Sequence, residues 1–318
     1  MDVSTVTDSL AADYRTLTEQ VGLVDRSERG KLALTGGEAK AFLQGQVTND
    51  VEALEPGDGC YAAFLTHKGK MTGDLRVLDL GYELFLDTER VALQDLFTMI
   101  RRYKLGRDVE LHKRTVERGL LSLVGPAARE VAGAGDLGAA EHDNAPAELG
   151  GEPVVLVTTD LGVDVICDAG ATGAVQAALE AAGAVPVAEE VAEIVRVEHG
   201  RPRFGIDLDD GVIPQEAGIN ERAVSFTKGC YVGQETVARL FYRGKPNRHL
   251  RGLRLSGPAQ TGETLTFGEK TVGRVGSVAS SPVHGPIALA IVRREVAPGD
   301  VVRVGAGDLT GEVVEPPF

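Results

Sequence analysis

The sequence predicts an α+β protein in which helices and antiparallel strands mix first and a small all-β domain follows. Three observations support this. Strand-like runs lie next to one another in the chain, as in "CYAAFLTHKGKMTGDLRVLDLGYELFLDT", so antiparallel pairing is favoured over a doubly wound parallel sheet. Segments with apolar residues at helical spacing interrupt those runs. From about His249 onward the helical pattern stops, and short alternating strands separated by turn residues take over.

The elements follow in order. "KLALT", residues 31–35, alternates like a short strand. In "GGEAKAFLQG", Ala39, Phe42 and Leu43 share one helical face, and Gly45 offers a stop. The run from Cys60 to Thr88 reads as a three-strand meander broken at His67–Gly69 and Asp79–Gly81. "RVALQDLFTMIRRYKLG" places Ala92, Leu96, Ile100 and Tyr103 on one stripe, and Gly106 ends it. "GLLSLVG" and "PVVLVTT" read as further strands. Between them, Gly133–Gly151 is rich in Gly, Ala and acids and reads as an exposed connection. "ATGAVQAALEAAG" and "AEEVAEIVRVEHG" are amphipathic helices ending at Gly183 and Gly200, and "QETVARLF" opens another. "LRGLRLSG", "ALAIVRRE" and "DVVRVG" belong to the all-β part. Its linker is Arg243–His249, which divides the chain into regions 1–245 and 246–318.

Composition narrows the function. A chain of 318 residues accommodates roughly two to three domains. Its charged fraction of 25% and hydrophobic fraction of 43% are ordinary for a globular protein. No apolar run reaches the roughly 18 residues of a membrane span. "MDVSTVTDSLAADYR" has neither a basic n-region nor an apolar h-region, so the expected location is the cytoplasm. A net charge of -14 disfavours general nucleic-acid binding. Cys60, Cys167 and Cys230 are far apart and show no metal-ligand spacing, so no metal site is expected. A monomer suits the acidic surface.

Glu198 is the first candidate for chemistry. Val191, Ile194, Val195 and Glu198 fall at i, i+3, i+4 and i+7, which puts a carboxylate on an apolar stripe at a helix C-terminus. Burial and the negative helix end both oppose its charge. Either the helix frays early, or Arg196, Arg201 or Arg203 pairs with it, or a ligand with adjacent N–H donors compensates it. Cys230, in "KGCYVGQE", is the second. It reads either as a small buried hydrophobe or as a thiol activated by Lys228 and by the helix that follows. Cys60 and Cys167 read as core residues. A third feature is the stretch from Thr236 to Gly262, which lacks Asp and Glu but holds Arg239, Arg243, Lys245, Arg248, Arg251 and Arg254. It suits an anion or a solvated surface. Asp74, at a strand start, and Asn49, Asp50, Gln215 and Glu216, in loops, have turn chemistry as their plain reading.

"KGCYVGQE" resembles the signature of YgfZ-type folate-binding proteins, relatives of the glycine-cleavage T-protein. "VGLVDRSERGKLALTGGEAKAFLQGQVTNDVEAL", "LTHKGKMTGDLRV", "IVRVEHGRPRFGIDL" and "IPQEAGIN" are similar to the same family. The resemblance implies two interlocked ferredoxin-like antiparallel α/β units around a folate site, followed by a small C-terminal β-barrel. It implies tetrahydrofolate or a derivative as cofactor, with Glu198 gripping the pterin. It assigns Lys228, Cys230, Tyr231, Gly233, Gln234 and Glu235 to a functional loop, with Cys230 as the reactive thiol. Arg239 and Arg243 would neutralise the glutamate tail of the folate. Asp74 lies near the T-protein catalytic aspartate, although Gly73–Asp74 stands where the T-protein pattern has two successive acids, and the T-protein loop lacks the cysteine.

The expected function is a folate-binding protein supporting assembly or repair of iron–sulfur clusters, with effects on cluster-dependent tRNA modification and with iron–sulfur client proteins as partners. Two alternatives stay open. One is a tetrahydrofolate-dependent one-carbon transferase with Asp74 as acid/base. The other is a non-catalytic RNA- or protein-binding adaptor.

Overall fold

A computed structural model describes residues 3–318, with side chains from Leu10 onward. The chain opens with helix α1 (Val3–Glu19) and strands β1 (Gly22–Asp25) and β2 (Gly30–Thr35), then α2 (Ala39–Gln44). The meander follows as β3 (Gly59–Leu65), β4 (Met71–Asp79) and β5 (Leu84–Thr88), then α3 (Leu93–Tyr103) and β6 (Glu110–Lys113). Next come β7 (Arg118–Val124), α4 (Ala128–Val131), β8 (Asn144–Leu149), β9 (Glu152–Thr159), β10 (Gly162–Asp168), α5 (Thr172–Ala181) and β11 (Val185–Pro186). Helices α6 (Glu189–Glu198), α7 (Asn220–Ala223) and α8 (Gln234–Arg243) precede β12 (Arg248–Leu255), β13 (Thr264–Phe267), β14 (Lys270–Ser281), β15 (Gly285–Arg293), β16 (Val301–Val304) and β17 (Thr310–Val314).

The α+β class and the terminal barrel agree with expectation. One sheet has the order β11-β1-β7-β10-β9-β8, a second β3-β4-β5-β2-β6, and β12-β15-β14-β13-β16-β17 closes into a barrel. The two units interlock because the chain lays down β1 in the first sheet, leaves to build all of the second, and returns with β7. Pairing is antiparallel apart from the short parallel contact of β1 with β11.

Side-chain alternation along the strands decides what each sheet face does. On β4, Leu75 and Val77 join Phe42, Leu43, Leu96 and Ile100 of α2 and α3 in one core. On β10, Val163, Val165 and Cys167 join Val175 and Leu179 of α5 in another. The opposite faces meet: Leu78 and Phe85 of the second sheet pack on Leu120, Val157 and Ile166 of the first. The same period of two puts Asp74, Arg76, Asp87, Ser122 and Asp164 on these facing sides. The interface between the sheets is therefore apolar at one end and ionic at the other.

The differences from expectation are local. Tyr103 ends α3 but is 39% exposed, because the stripe stops at Ile100. Gly133–Gly151 is not a plain exposed connection: it carries β8 and buries His142 and Asn144. Helix α1 has no counterpart in the sequence reading. Among the described residues no helix is long and apolar enough to cross a membrane.

Candidate active site

The ionic end of the sheet interface is a cavity of about 190 Å³. Its walls are Asp74 and Arg76 of β4, Asp87 of β5, Asp164 of β10, Arg196 of α6 and Arg222 of α7. Arg26, Arg29, Tyr61, Glu89, Glu141, His142, Thr159, Asp160, Arg201, Arg203 and Phe204 complete the polar and aromatic lining. Seven arginines therefore face six carboxylates.

Five of those carboxylates are held by arginine. Asp87 lies between Arg29 at 2.8 Å and Arg76 at 2.7 Å. Both guanidinium groups outweigh the burial penalty and hold its carboxyl at about 2. Arg76 also reaches Asp164 at 2.5 Å, and the Ser122 hydroxyl donates to the same carboxylate. Glu89 pairs with Arg29 and Arg203, Asp160 with Arg201, and Glu141 with Arg222.

Asp74 is the exception. It is buried, and its carboxylate has no cationic partner among the described residues. Its side-chain partner is the Tyr61 hydroxyl, which donates at 2.6 Å. Burial pushes Asp74 up to about 6; the Tyr61 bond pulls it down, nearby Glu89 pushes it up, and the more distant Arg29 charge pulls it down without pairing. The Arg222 guanidinium stacks 5.2 Å from the Tyr61 ring centroid and fixes the tyrosine in turn. A carboxyl titrating there can take or give a proton near neutral pH.

Glu198 is placed elsewhere. Its burial, expected from the helical stripe, is present at 8% exposure. The frayed-end and arginine-pair readings are not what satisfies it. The Tyr14 hydroxyl donates to both carboxylate oxygens at 2.9 and 3.1 Å, and the Ser281 hydroxyl donates to one of them. Glu198 thus ties α6 to α1 and to barrel strand β14. It is not among the residues lining the central cavity, where its neighbour Arg196 points instead. Two hydroxyls satisfy its carboxylate.

"KGCYVGQE" packs on neighbouring elements through several of its residues. Lys228 is buried, and its ammonium donates to the carbonyls of Gln44, Val47 and Asn49 at 2.7, 2.8 and 2.6 Å, closing the C-terminal end of α2. That commitment accounts for the burial of the lysine. Gly233 has φ +85, and a Cβ there would meet the Thr66 carbonyl at 2.6 Å, so only glycine seats the loop on the β3–β4 turn. Tyr231 is buried in an apolar cluster with Leu65, Met71 and Val237. Gln234 and Glu235 open α8, and Arg239 and Arg243 are exposed along it. None of these lines the central cavity. Cys230 is exposed, which corrects the reading of it as a small buried hydrophobe, whereas Cys167 is a core residue as expected. Of the loop candidates, Asn49 donates to the Tyr61 and Arg222 carbonyls, and Glu216 pairs with Arg248.

The sequence points to Asp74, and to Arg196, Arg201 and Arg203 only as partners for Glu198; the charged strand residues of the cavity were not singled out. For Arg76, Asp87 and Asp164 a signal is present: charges on one face of otherwise apolar strands, as in "GDLRVLD", "FLDT" and "GVDVICD". Paired charges on an inward strand face mark a polar interior.

The description "GCVT N-terminal domain" matches residues 3–228, and "Glycine cleavage T-protein C-terminal barrel domain" matches 248–318. A chloroplastic putative transferase of Arabidopsis thaliana is 30% identical over 312 residues, covering 94% of this chain and 71% of the relative. An aminomethyltransferase of Rubrobacter xylanophilus is 29% identical over 320 residues, covering 97% and 86%. The solved glycine cleavage system aminomethyltransferase T from Bartonella henselae superposes with a TM-score of 0.85 at 21% identity, covering 97% of this chain and 89% of that one. That likeness shows the fold.

Proposed function

The chain belongs to the glycine-cleavage T-protein family, and from that premise we propose that its central cavity binds a reduced folate and transfers a one-carbon unit, with Asp74 moving the proton. The observation that carries this is the isolation of Asp74. Five cavity carboxylates are neutralised by arginine; this one is not, and it sits near 6. A purely structural carboxylate would gain from a cation, whereas a proton-transfer group needs a pKa close to working pH.

The cavity residues fit a folate in kind. A pterin is flat, polar and rich in donors and acceptors, and the Tyr61 and Phe204 rings with the surrounding arginines and carboxylates offer both. At about 190 Å³ the space is below the roughly 300–1,000 Å³ of whole-ligand pockets, so it suits the heterocycle with the tail outside. The folate supplies the one-carbon carrier. The chain's part is to hold the heterocycle, exclude water and let Asp74 hold or release a proton beside Tyr61.

The test is a tetrahydrofolate-dependent demethylation or aminomethyl-transfer assay. Activity should survive Cys230→Ser and be lost in Asp74→Asn. The reverse pattern would overturn the proposal.

A second reading has one observation in its favour. Cys230 is exposed, outside the cavity, in the loop that resembles YgfZ-type proteins. It would contact iron–sulfur client proteins while the cavity holds folate, with effects on cluster-dependent tRNA modification. It requires Cys230→Ser to lower cluster-enzyme activity in cells while tetrahydrofolate binding stays unchanged.

A further inference from the structure

His142 is a part of the cavity wall that proton transfer by Asp74 does not use. It is 5% exposed, and neither ring nitrogen has a hydrogen-bond partner among the described residues; the Glu141 carboxylate lies 3.7 Å from Nε2, beyond hydrogen-bond reach, and is itself bound to Arg222. A buried polar group left without a partner lowers stability, so its presence calls for an explanation. His142 is also the one non-glycine residue with positive φ, +77, among the described residues. Strained backbone of this kind persists where the surroundings over-determine it, and it clusters at ligand sites.

The surroundings here do over-determine it. The His142 amide donates to the Thr158 carbonyl at 2.8 Å. The Asn144 side-chain amide donates to both the Asp58 and His142 carbonyls. Across the chain, a Cβ on Gly59 would meet the His142 carbonyl at 2.7 Å, so that glycine is what lets the two strands' ends approach. These contacts hold the backbone of a residue that lines the cavity. Burial, then the Arg76 and Arg222 charges, lower its pKa to about 4 against the opposing pull of Glu141 and Asp160, so it stands as a neutral ring. A neutral imidazole offers one donor and one acceptor. It suits an uncharged polar edge that presents both a donor and an acceptor.

We propose that His142 is a ligand-binding residue of the central cavity, whose neutral imidazole hydrogen-bonds an uncharged polar edge, such as a lactam, of the bound heterocycle. This rests on the reading of the cavity as the folate site, and it adds the part of the ligand that is read there.

The test compares wild type with His142→Gly and His142→Asn, using tetrahydrofolate as the probe. Both replacements accept positive φ more readily than histidine does. His142→Gly should keep or raise the melting temperature and weaken tetrahydrofolate binding about tenfold, the loss of one hydrogen bond to a buried group. His142→Asn, which keeps a polar side chain, should recover part of that loss. In protein labelled with ¹⁵N at histidine, the His142 ring nitrogens should shift on adding tetrahydrofolate. If wild type binds while the His142 resonances stay fixed and His142→Gly keeps its affinity within about twofold, this inference is overturned and the folate reading stands. A fall in melting temperature with unchanged affinity would mark a structural histidine and would also overturn it. If wild type itself does not bind tetrahydrofolate, both readings fail together.

Discussion

The Tyr61 hydroxyl lies 2.6 Å from the Asp74 carboxylate and is the sole side-chain hydrogen-bond donor to it among the described residues. The two lie diagonally across neighbouring strands, Tyr61 on β3 opposite Arg76 and Asp74 on β4 opposite Ala63, inside a cavity whose other carboxylates are all held by arginine.

Asp74→Asn should separate activity from stability. Loss of a positioned acid/base group lowers the rate by about 10² to 10⁴. In wild type the rate should rise with pH through about 6 as the carboxylate forms. Stability runs the other way. A folded pKa of about 6 against 3.8 unfolded means no penalty below about pH 4 and a full penalty of ~3 kcal/mol above about 6. The variant should therefore unfold at higher denaturant than wild type at pH 8, with the difference gone at pH 4. Equal midpoints at pH 8 would count against the raised pKa.

Asp87 should behave oppositely. It is fully buried between Arg29 and Arg76, and its carboxyl is held at about 2, below 3.8. That contributes ~2 kcal/mol above about pH 4, lost as pH falls toward 2. Asp87→Ala, which leaves two guanidinium groups short of a partner, should cost about 3–5 kcal/mol at pH 7. Chemical denaturation measures it, and a cost under about 1 kcal/mol would show that the arginines are satisfied without it.

Lys228→Met tests whether the lysine closes a helix or activates a thiol. Three carbonyl bonds are lost from the end of α2, at a cost of about 2–4 kcal/mol. The alkylation rate of Cys230 should stay within about twofold, because the ammonium is directed away into those carbonyls. A slowed alkylation with unchanged stability would restore the activating role.

Gly233→Ala should lift the signature loop from the β3–β4 turn. The added methyl meets the Thr66 carbonyl at 2.6 Å in a backbone with φ +85, which costs about 2–3 kcal/mol. Limited proteolysis should then cut between Phe226 and Gln234 earlier than in wild type. Unchanged protection would show that the loop shifts at little cost.

How much of this was legible in the sequence depends on the distance over which each group finds its partner. Strand alternation and helical spacing are local, so the meander, the helices α2, α3, α5 and α6 and the β-rich end could be read directly. The burial of Glu198 could be read too, from its stripe. Its partner could not: Tyr14 lies 184 positions away on a helix with no clear pattern, and Ser281 sits in the barrel. Lys228 and Cys230 are two residues apart, yet the lysine reaches back 184 positions to Gln44. The cavity arginines come from the β1–β2 connection, β4, α6, α7 and the segment after α6, and only folding brings them together. Asp74 was named from its place in the chain; its isolation among paired acids is a tertiary fact.

Calorimetric titration of tetrahydrofolate into wild type, Glu198→Gln and Leu161→Trp tests the central cavity most directly. Leu161 lines that cavity, whereas Glu198 is held by Tyr14 and Ser281 outside it. The expected result is one site per chain in wild type, affinity within about twofold in Glu198→Gln, and binding abolished by the indole in Leu161→Trp. No binding in wild type, or binding lost in Glu198→Gln and kept in Leu161→Trp, would contradict it.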